Sequence, residues 1–407
     1  MEFTWQDAGL CGPFVGLILA MAVGPLIFPR GWERHHAVGA LGFGLFAVLV
    51  QVTRPAGVET LSGLAREYFS FIALLASLHV IAGGICLRVA GESSPGQNVV
   101  YLFGGALLAN VVGTMGASMI LIRPWLRLNS RRAGAYPAVF FIFIVANIGG
   151  ALTPIGDPPL LLGYLKGVPF DWVARHCWPM WATAIALLLA IFHILDRRQV
   201  RGAPPAAGWK LEGGTNLFLL AVIPIALLFV PSGYFLREGV MLGAAGVSWM
   251  TTRREVRAAN SFRFGPLGDL VILFAALFAT MGPAQEWLLR RVGGVPSAGG
   301  VYWSSGLLSS VLDNAPTYSS FFTILFRATA VGPSDLADGA LRLAALSVGS
   351  VFFGACSYIG NGPNLLVQAM AREEGVPMPG FLGYIGRFSL PFLFPVLGLV
   401  WLIFFRQ

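Results

Sequence analysis

An α-helix cannot run unbroken through residues Asn147–Leu162, which read N-I-G-G-A-L-T-P-I-G-D-P-P-L-L-L. Gly149, Gly150, Pro154, Gly156, Pro158 and Pro159 all lie in this stretch. Glycine raises the cost of helix, and an interior proline removes a donor and clashes with the preceding turn. The stretch nevertheless follows the apolar run Pro137–Ala146 and precedes another apolar segment, so hydropathy puts it at membrane depth. Broken backbone is tolerated there only where it is buried in protein or lines a watery cavity. Asp157 sits inside the break. An ionisable residue at that depth marks a functional site by default.

The break has a twin. Residues 357–366 (SYIGNGPNLL) lie over residues 153–162 (TPIGDPPLLL) at a constant offset, 357 − 153 = 204, in a chain of 407 residues. A second pair precedes these: Asn110–Thr114 lies over Asp313–Thr317 at an offset of 203. Two half-chain repeats with interrupted apolar segments at matching positions are the sequence mark of a secondary transporter.

The chain is 56% hydrophobic and 11% charged, with a mean hydropathy of +0.73. Soluble domains carry about 25% charge, so composition excludes an ordinary soluble enzyme. The net charge of +8 comes from arginine clusters between apolar runs, which is the positive-inside pattern and implies no nucleic-acid partner. Cys11, Cys86, Cys177 and Cys356 are scattered in or beside apolar runs and read as small buried hydrophobes. The first residues, MEFTWQD, lack a basic leader, so Ala8–Phe28 is expected to be a retained span.

The expected architecture is an all-α polytopic membrane protein of two inverted-topology repeats. Each repeat holds about five crossings, a re-entrant hairpin and a broken helix. Residues 1–196 form the first repeat, 197–214 a cytoplasmic linker and 215–407 the second repeat. The first repeat places spans at Ala8–Phe28, Ala37–Val52 and Phe69–Val89, with Gly83-Gly84 inside the third. A mixed loop at Arg54–Glu67 and a polar loop at Gly91–Asn98 separate these elements. Val99–Leu126 is expected to turn back as a hairpin, because each apolar arm is too short to cross. The broken span Pro137–Leu165 and a span at Val173–Leu195 complete the half. The second repeat runs Leu217–Val230, Tyr234–Met250, Leu267–Leu288, a hairpin at Val301–Phe326, a broken span at Leu341–Ala371 and Phe381–Phe405. Arginine counts put both termini outside and Asp196–Gly214 inside; Arg290 and Arg291 are the exception.

At the repeat axis the matched positions are Asn110 with Asp313 and Asp157 with Asn361, one acid and one amide in each pair. Around them lie Asn147, Thr114, Thr153, Thr317, Ser357, Asn314 and Asn364, with no Lys, Arg, Cys or His interleaved. Hard oxygen ligands suit a hard cation. Two carboxylates that hold either protons or a cation form the minimum apparatus for exchange. Isolated hydroxyls at depth commonly act as packing glue, and His79, on the third span, reads first as structural. Glu286 reads as interfacial, and Arg123, Arg327 and Lys166 as snorkelling near span ends. No Ser–His or Cys–His pairing suggests a hydrolase, so no enzyme and no cofactor are expected beyond transported Na⁺ and H⁺.

The motifs NIGGALTPIGDPP, SVLDNAPT and SYIGNGPN resemble the signatures of the ion transporter superfamily, in particular the NhaD-type sodium/proton antiporters and the citrate-transporter-like group. The resemblance spans nearly the whole chain. It implies an inverted-repeat fold with scaffold and transport domains, often a homodimer, moving cargo by an elevator-like motion in the inner (cytoplasmic) membrane. It also implies a cation site on Asn110, Thr114, Asn147, Thr153, Asp157, Asp313, Asn314, Thr317, Ser357 and Asn361. The superfamily's dicarboxylate carriers place Ser-Asn-Thr at each hairpin tip; here the tips read Val-Gly-Thr and Asp-Asn-Ala-Pro-Thr. The expected function is Na⁺/H⁺ antiport, with cation-coupled carriage of citrate or another organic anion as the alternative and arsenite-type export behind both.

Overall fold

A computed structural model describes residues 5–55, 57–199, 208–231, 233–260, 262–291, 294, 296–327 and 331–406. It is an all-α polytopic membrane protein. In the first half the helices are α1 (Trp5–Ile27), α2 (Pro29–Val52), α3 (Gly57–Ala82), α4 (Pro95–Leu128), α5 (Tyr136–Ile144), α6 (Pro158–Leu165) and α7 (Trp172–Gln199). The second half holds α8 (Thr215–Phe229), α9 (Leu236–Thr251), the short α10 (Arg254–Ala259), α11 (Gly265–Arg291), α12 (Ala298–Val311), α13 (Asn314–Phe326), α14 (Pro333–Phe353) and α15 (Gly362–Glu373). It ends on α16 (Phe381–Phe404), whose middle, Ile385–Leu393, is π-helical. Apart from α10, the elements recur in the same order in both halves. Among the described residues, seven helices are long and apolar enough to cross a membrane, α4 among them.

Length alone misleads for α4, because its two arms fold back on each other at Gly113, which has φ 77° and ψ 156°. Tyr101 donates to the Leu121 carbonyl at 2.7 Å. In a straight helix those residues would stand about 30 Å apart. The expected hairpin is therefore present, with Ser94 capping its first arm in a box with Gln97. The second hairpin, α12 and α13, turns at Leu312 and Asp313.

Burial separates the wall from the core. On α2 and α8 the side chains of Val38, Leu45, Phe218 and Phe229 stand exposed, Phe218 by 79%. In water such a surface would invite association; against lipid tails it is the expected outer wall. All nine residues of α5 are buried, so protein encloses the first arm of the broken crossing, while Ile155, Gly156 and Pro158 of the break line a cavity, the two settings in which broken backbone is tolerated at that depth.

Three boundaries differ from the sequence reading. The expected loop Arg54–Glu67 is helical from Gly57 onward, so Glu59, Arg66 and Glu67 ride on α3. Gly83-Gly84 ends α3 and does not lie inside a span. Cys86–Val89 then forms a strand (β1), which pairs antiparallel with Trp209–Glu212 (β2), Cys86 opposite Glu212. The apolar end of this segment looked helical because four residues cannot reveal a period of 2. The linker 197–214 thus contributes the end of α7 and β2; residues 200–207 lie outside the described residues.

Arg132, expected only as a topology signal, is buried in an ion pair. Its Nε donates to Asp196 Oδ1 at 2.5 Å and its Nη2 to Oδ2 at 3.1 Å. Tyr136 and Asn98 donate to the same carboxylate at 2.6 and 2.9 Å. The cluster fastens the base of the first hairpin to the start of α5 and the end of α7. Removing one partner of such a pair costs about 3–5 kcal/mol.

The orientation across the membrane has a direct test. A cysteine introduced at position 202 should be labelled by an impermeant thiol reagent only from the cytoplasmic face. The four native cysteines are buried and give little background. Labelling from outside would overturn the arginine-based topology.

Candidate functional site

Each break ends where a half-helix begins on Gly or Pro. Asp157 is the N-cap of α6, with φ −146° and ψ 144°. A capping side chain normally accepts from the N–H of the second or third helical residue. Pro158 and Pro159 supply no N–H in the first two positions, and the Asp157 carboxylate makes no cap bond. It reaches across the fold instead. Oδ1 accepts from Thr114 Oγ1 at 2.8 Å and from Asn361 Nδ2 at 3.0 Å, and Oδ2 accepts from Asn314 Nδ2. Asp157 is 1% exposed.

These three partners come from three places: the tip of hairpin one, the second break and the tip of hairpin two. Asn361 caps α15 at φ −155° and ψ 140°, with a proline at the second helical position. It stands 204 positions after Asp157 (361 − 157), so the two matched positions of the repeats bond to each other. Behind them, Asn361 also donates to Asn147 Oδ1 at 3.2 Å. Asn147 donates to Asn364 Oδ1 at 2.7 Å, and Asn364 to the carbonyls of Gly354 and Ser357, both at 2.8 Å.

Close backbone approach explains the glycines. A Cβ on Gly360 would lie 2.6 Å from the Gly354 carbonyl oxygen, and one on Gly156 would collide with the Gly150 carbonyl. The same fold of the chain is thus built twice. At the hairpin tip, Thr114 N–H donates to the Gly156 carbonyl at 2.8 Å. A side chain on Gly113 would be strained by its positive φ.

Asp313 caps α13, its Oδ1 accepting from Ala315 N–H at 3.1 Å. The next residue, Asn314, is fully buried; its Nδ2 serves Asp157 while its Oδ1 has no partner. A cavity runs up to this place, lined by Asp313, Thr114, Gly156 and Asn361 on one side and by Leu78 and His79 of α3 on the other. His79 Nε2 lies 3.0 Å from the Arg263 carbonyl and so carries the proton.

The remaining expected ligands brace the backbone. Asn110 Nδ2 donates to the Gly149 carbonyl at 2.6 Å and its Oδ1 accepts from Leu152 N–H. Thr153 donates to the Asn110 carbonyl at 2.6 Å. Thr317 bonds the Asp313 carbonyl at 3.2 Å, and Ser357 accepts from the N–H groups of Ile359 and Gly360. The structure therefore brings Thr114, Asn314 and Asn361 to the Asp157 carboxylate, puts Asn147 one bond behind, and leaves Asn110, Thr153, Thr317 and Ser357 holding the loops. Asp313 sits beside Asn314 at the cavity. Trp181 Nε1, which carried no sequence signal, also donates to the Gly149 carbonyl at 3.1 Å. Among the described residues no group of three or more His, Cys, Asp or Glu is placed to hold a metal ion.

A family model described as "Putative citrate transport" matches residues 6–405. The chain belongs to the putative citrate transport family. A 46 kDa membrane protein of Mycobacterium leprae is 26% identical over 309 residues, covering 69% of each chain. An uncharacterized transporter of Mycobacterium tuberculosis is 24% identical over 302 residues, again 69% of each. As a member of the putative citrate transport family, the chain is a membrane transporter.

Proposed function

We propose that the protein exchanges Na⁺ for H⁺ across the cytoplasmic membrane at the Asp157 site. The observation that carries this reading is the pairing of a buried carboxylate with the partnerless Oδ1 of Asn314. When Asp157 is ionised, Asn314 presents its NH₂ to Oδ2. A carboxylate oxygen has two lone pairs, so Oδ2 keeps one lone pair. That lone pair and Asn314 Oδ1 would serve as ligands for a hard cation. When Asp157 is protonated its O–H needs an acceptor, and a half-turn of the Asn314 amide supplies one. The same two side chains thus suit a cation and a proton in turn. Asp313 adds a second exchangeable carboxylate at the mouth of the cavity.

The family's description favours a second reading, cation-coupled carriage of citrate. No basic side chain bonds the site, so a polyanion would meet two acids with only half-helix N-termini to attract it. A bound cation could bridge that gap. Vesicles holding the purified protein and a trapped pH dye separate the readings. Na⁺ or Li⁺ added alone should move protons, and citrate should change nothing. Proton movement that appears only with citrate would replace antiport by citrate carriage.

A further inference from the structure

The corner between α9 and α10 lies away from the site and carries charge that no ion pair absorbs. Arg253, Arg254 and Arg257 line an open pocket of about 910 Å³ together with Trp249, Met250 and Phe262. Arg257 is nine-tenths buried. Its guanidinium lies 4.7 Å from the Trp249 ring and 5.2 Å from that of Phe262. Nη1 donates to the Val80 carbonyl at 2.8 Å and Nη2 to the Ser248 carbonyl at 3.0 Å. Its buried Nε has no partner. Arg253 and Arg254 are exposed, and among the described residues neither is paired with a carboxylate. The acid of this segment, Glu255, is exposed on the same short helix. Beside the arginines, Trp249 is 50% and Met250 85% exposed.

Topology asks only that the arginines lie on this side of the membrane. It does not ask for an exposed Trp and Met beside them, nor for a guanidinium laid against two rings with an unused N–H. That combination suits a ligand with a phosphate at one end and hydrocarbon at the other. Guanidinium groups bind phosphate through paired N–H donors. Tryptophan favours the headgroup level, and basic pockets at the cytoplasmic side take anionic headgroups.

We propose that this corner binds an anionic phospholipid, its phosphate held by Arg253 and Arg254 in front of Arg257 and its acyl chains lying along Trp249 and Met250. The occupant would brace the cavity wall. Phe262 lies between Arg257 and His79, 5.0 Å from the His79 ring, and Asn260 donates to the Ile85 carbonyl at 2.9 Å. Lipid at the corner therefore steadies the end of α3, whose Leu75, Leu78 and His79 line the inner cavity. The proposal is independent of which cargo the protein carries.

The test uses the full chain in neutral detergent, with bound lipid measured by native mass spectrometry. Phosphatidylglycerol should bind in preference to phosphatidylcholine. Exchanging both exposed arginines in R253Q/R254Q should weaken phosphatidylglycerol binding about 30-fold, since each basic residue near an anionic headgroup contributes about fivefold. R253K/R254K should stay within about fivefold of wild type, and W249A should weaken lipid binding. Inorganic phosphate at millimolar concentration should not displace the lipid. Equal binding of the two lipids, or full phosphatidylglycerol binding by R253Q/R254Q, would overturn the proposal. Displacement by phosphate would reassign the pocket to a soluble anion. Should the Gln variant fail to fold, the wild-type comparison of the two lipids and phosphate decides the matter.

Discussion

Asp157→Asn should abolish sodium-driven proton movement and leave a folded, inserted protein. The amide keeps the shape of the side chain but can neither release nor take up a proton. Thr114 and Asn361 can still donate to its oxygen. Its new NH₂ would face the NH₂ of Asn314, two donors opposed. Asn314 can relieve this by turning over, because its own oxygen is unpartnered. What remains lost is the charge-assisted part of three hydrogen bonds, at about 1 kcal/mol each. The variant should therefore elute from a sizing column as wild type while dye-loaded vesicles respond to Na⁺ no better than protein-free ones. Wild-type exchange in this variant would remove Asp157 from the mechanism.

Apparent Na⁺ affinity should improve as pH rises and level off once both acids are ionised. Protons occupy the carboxylates at low pH and must leave before a cation can use the same oxygens, so binding releases protons. Each proton displaced should change the affinity about tenfold per pH unit. Asp313→Asn removes one exchangeable proton. Its pH slope should fall by that one proton, or transport should stop. If two protons exchange for one Na⁺, the wild type moves net charge and responds to membrane potential; a one-for-one variant moves none and should not respond. The measurements are initial rates against Na⁺ at several pH values, with and without an imposed potential. An affinity indifferent to pH, or a variant that keeps both rate and voltage response, would put the organic-anion reading ahead.

The breaks were legible because glycine and proline are readable one residue at a time. The first hairpin was legible because its apolar arms were too short to cross, even though its combined length passes for a span. The acid–amide match of Asp157 and Asn361 was visible as a repeat offset, and it proves to be a hydrogen bond. Which hydroxyls and amides reach the carboxylate was not legible. Asn110 and Thr153 are the same residue types as Asn361 and Thr114, and only the path of the backbone decides that the first two bond main-chain groups. The ribbon of Cys86–Val89 with Trp209–Glu212 stayed hidden, since pairing over such a separation leaves no local pattern. The burial of Arg132 was hidden for a like reason: Asp196 sits at the far end of the same half, and charge near span ends usually faces water.

The two glycine contacts, Gly150 with Gly156 and Gly354 with Gly360, separate what can vary in this molecule from what cannot. A Cβ on Gly150, Gly156 or Gly360 would come within 2.7 Å of a neighbouring atom, and one on Gly354 would be tightly placed at 3.1 Å, so the paths of both crossings depend on the absence of side chains at these positions. The groups that face Asp157 are of another kind: Thr114, Asn314 and Asn361 reach the carboxylate through their side chains. Exchanging one of these three side chains would change what faces Asp157 while the glycine contacts that set the course of the crossing stay in place.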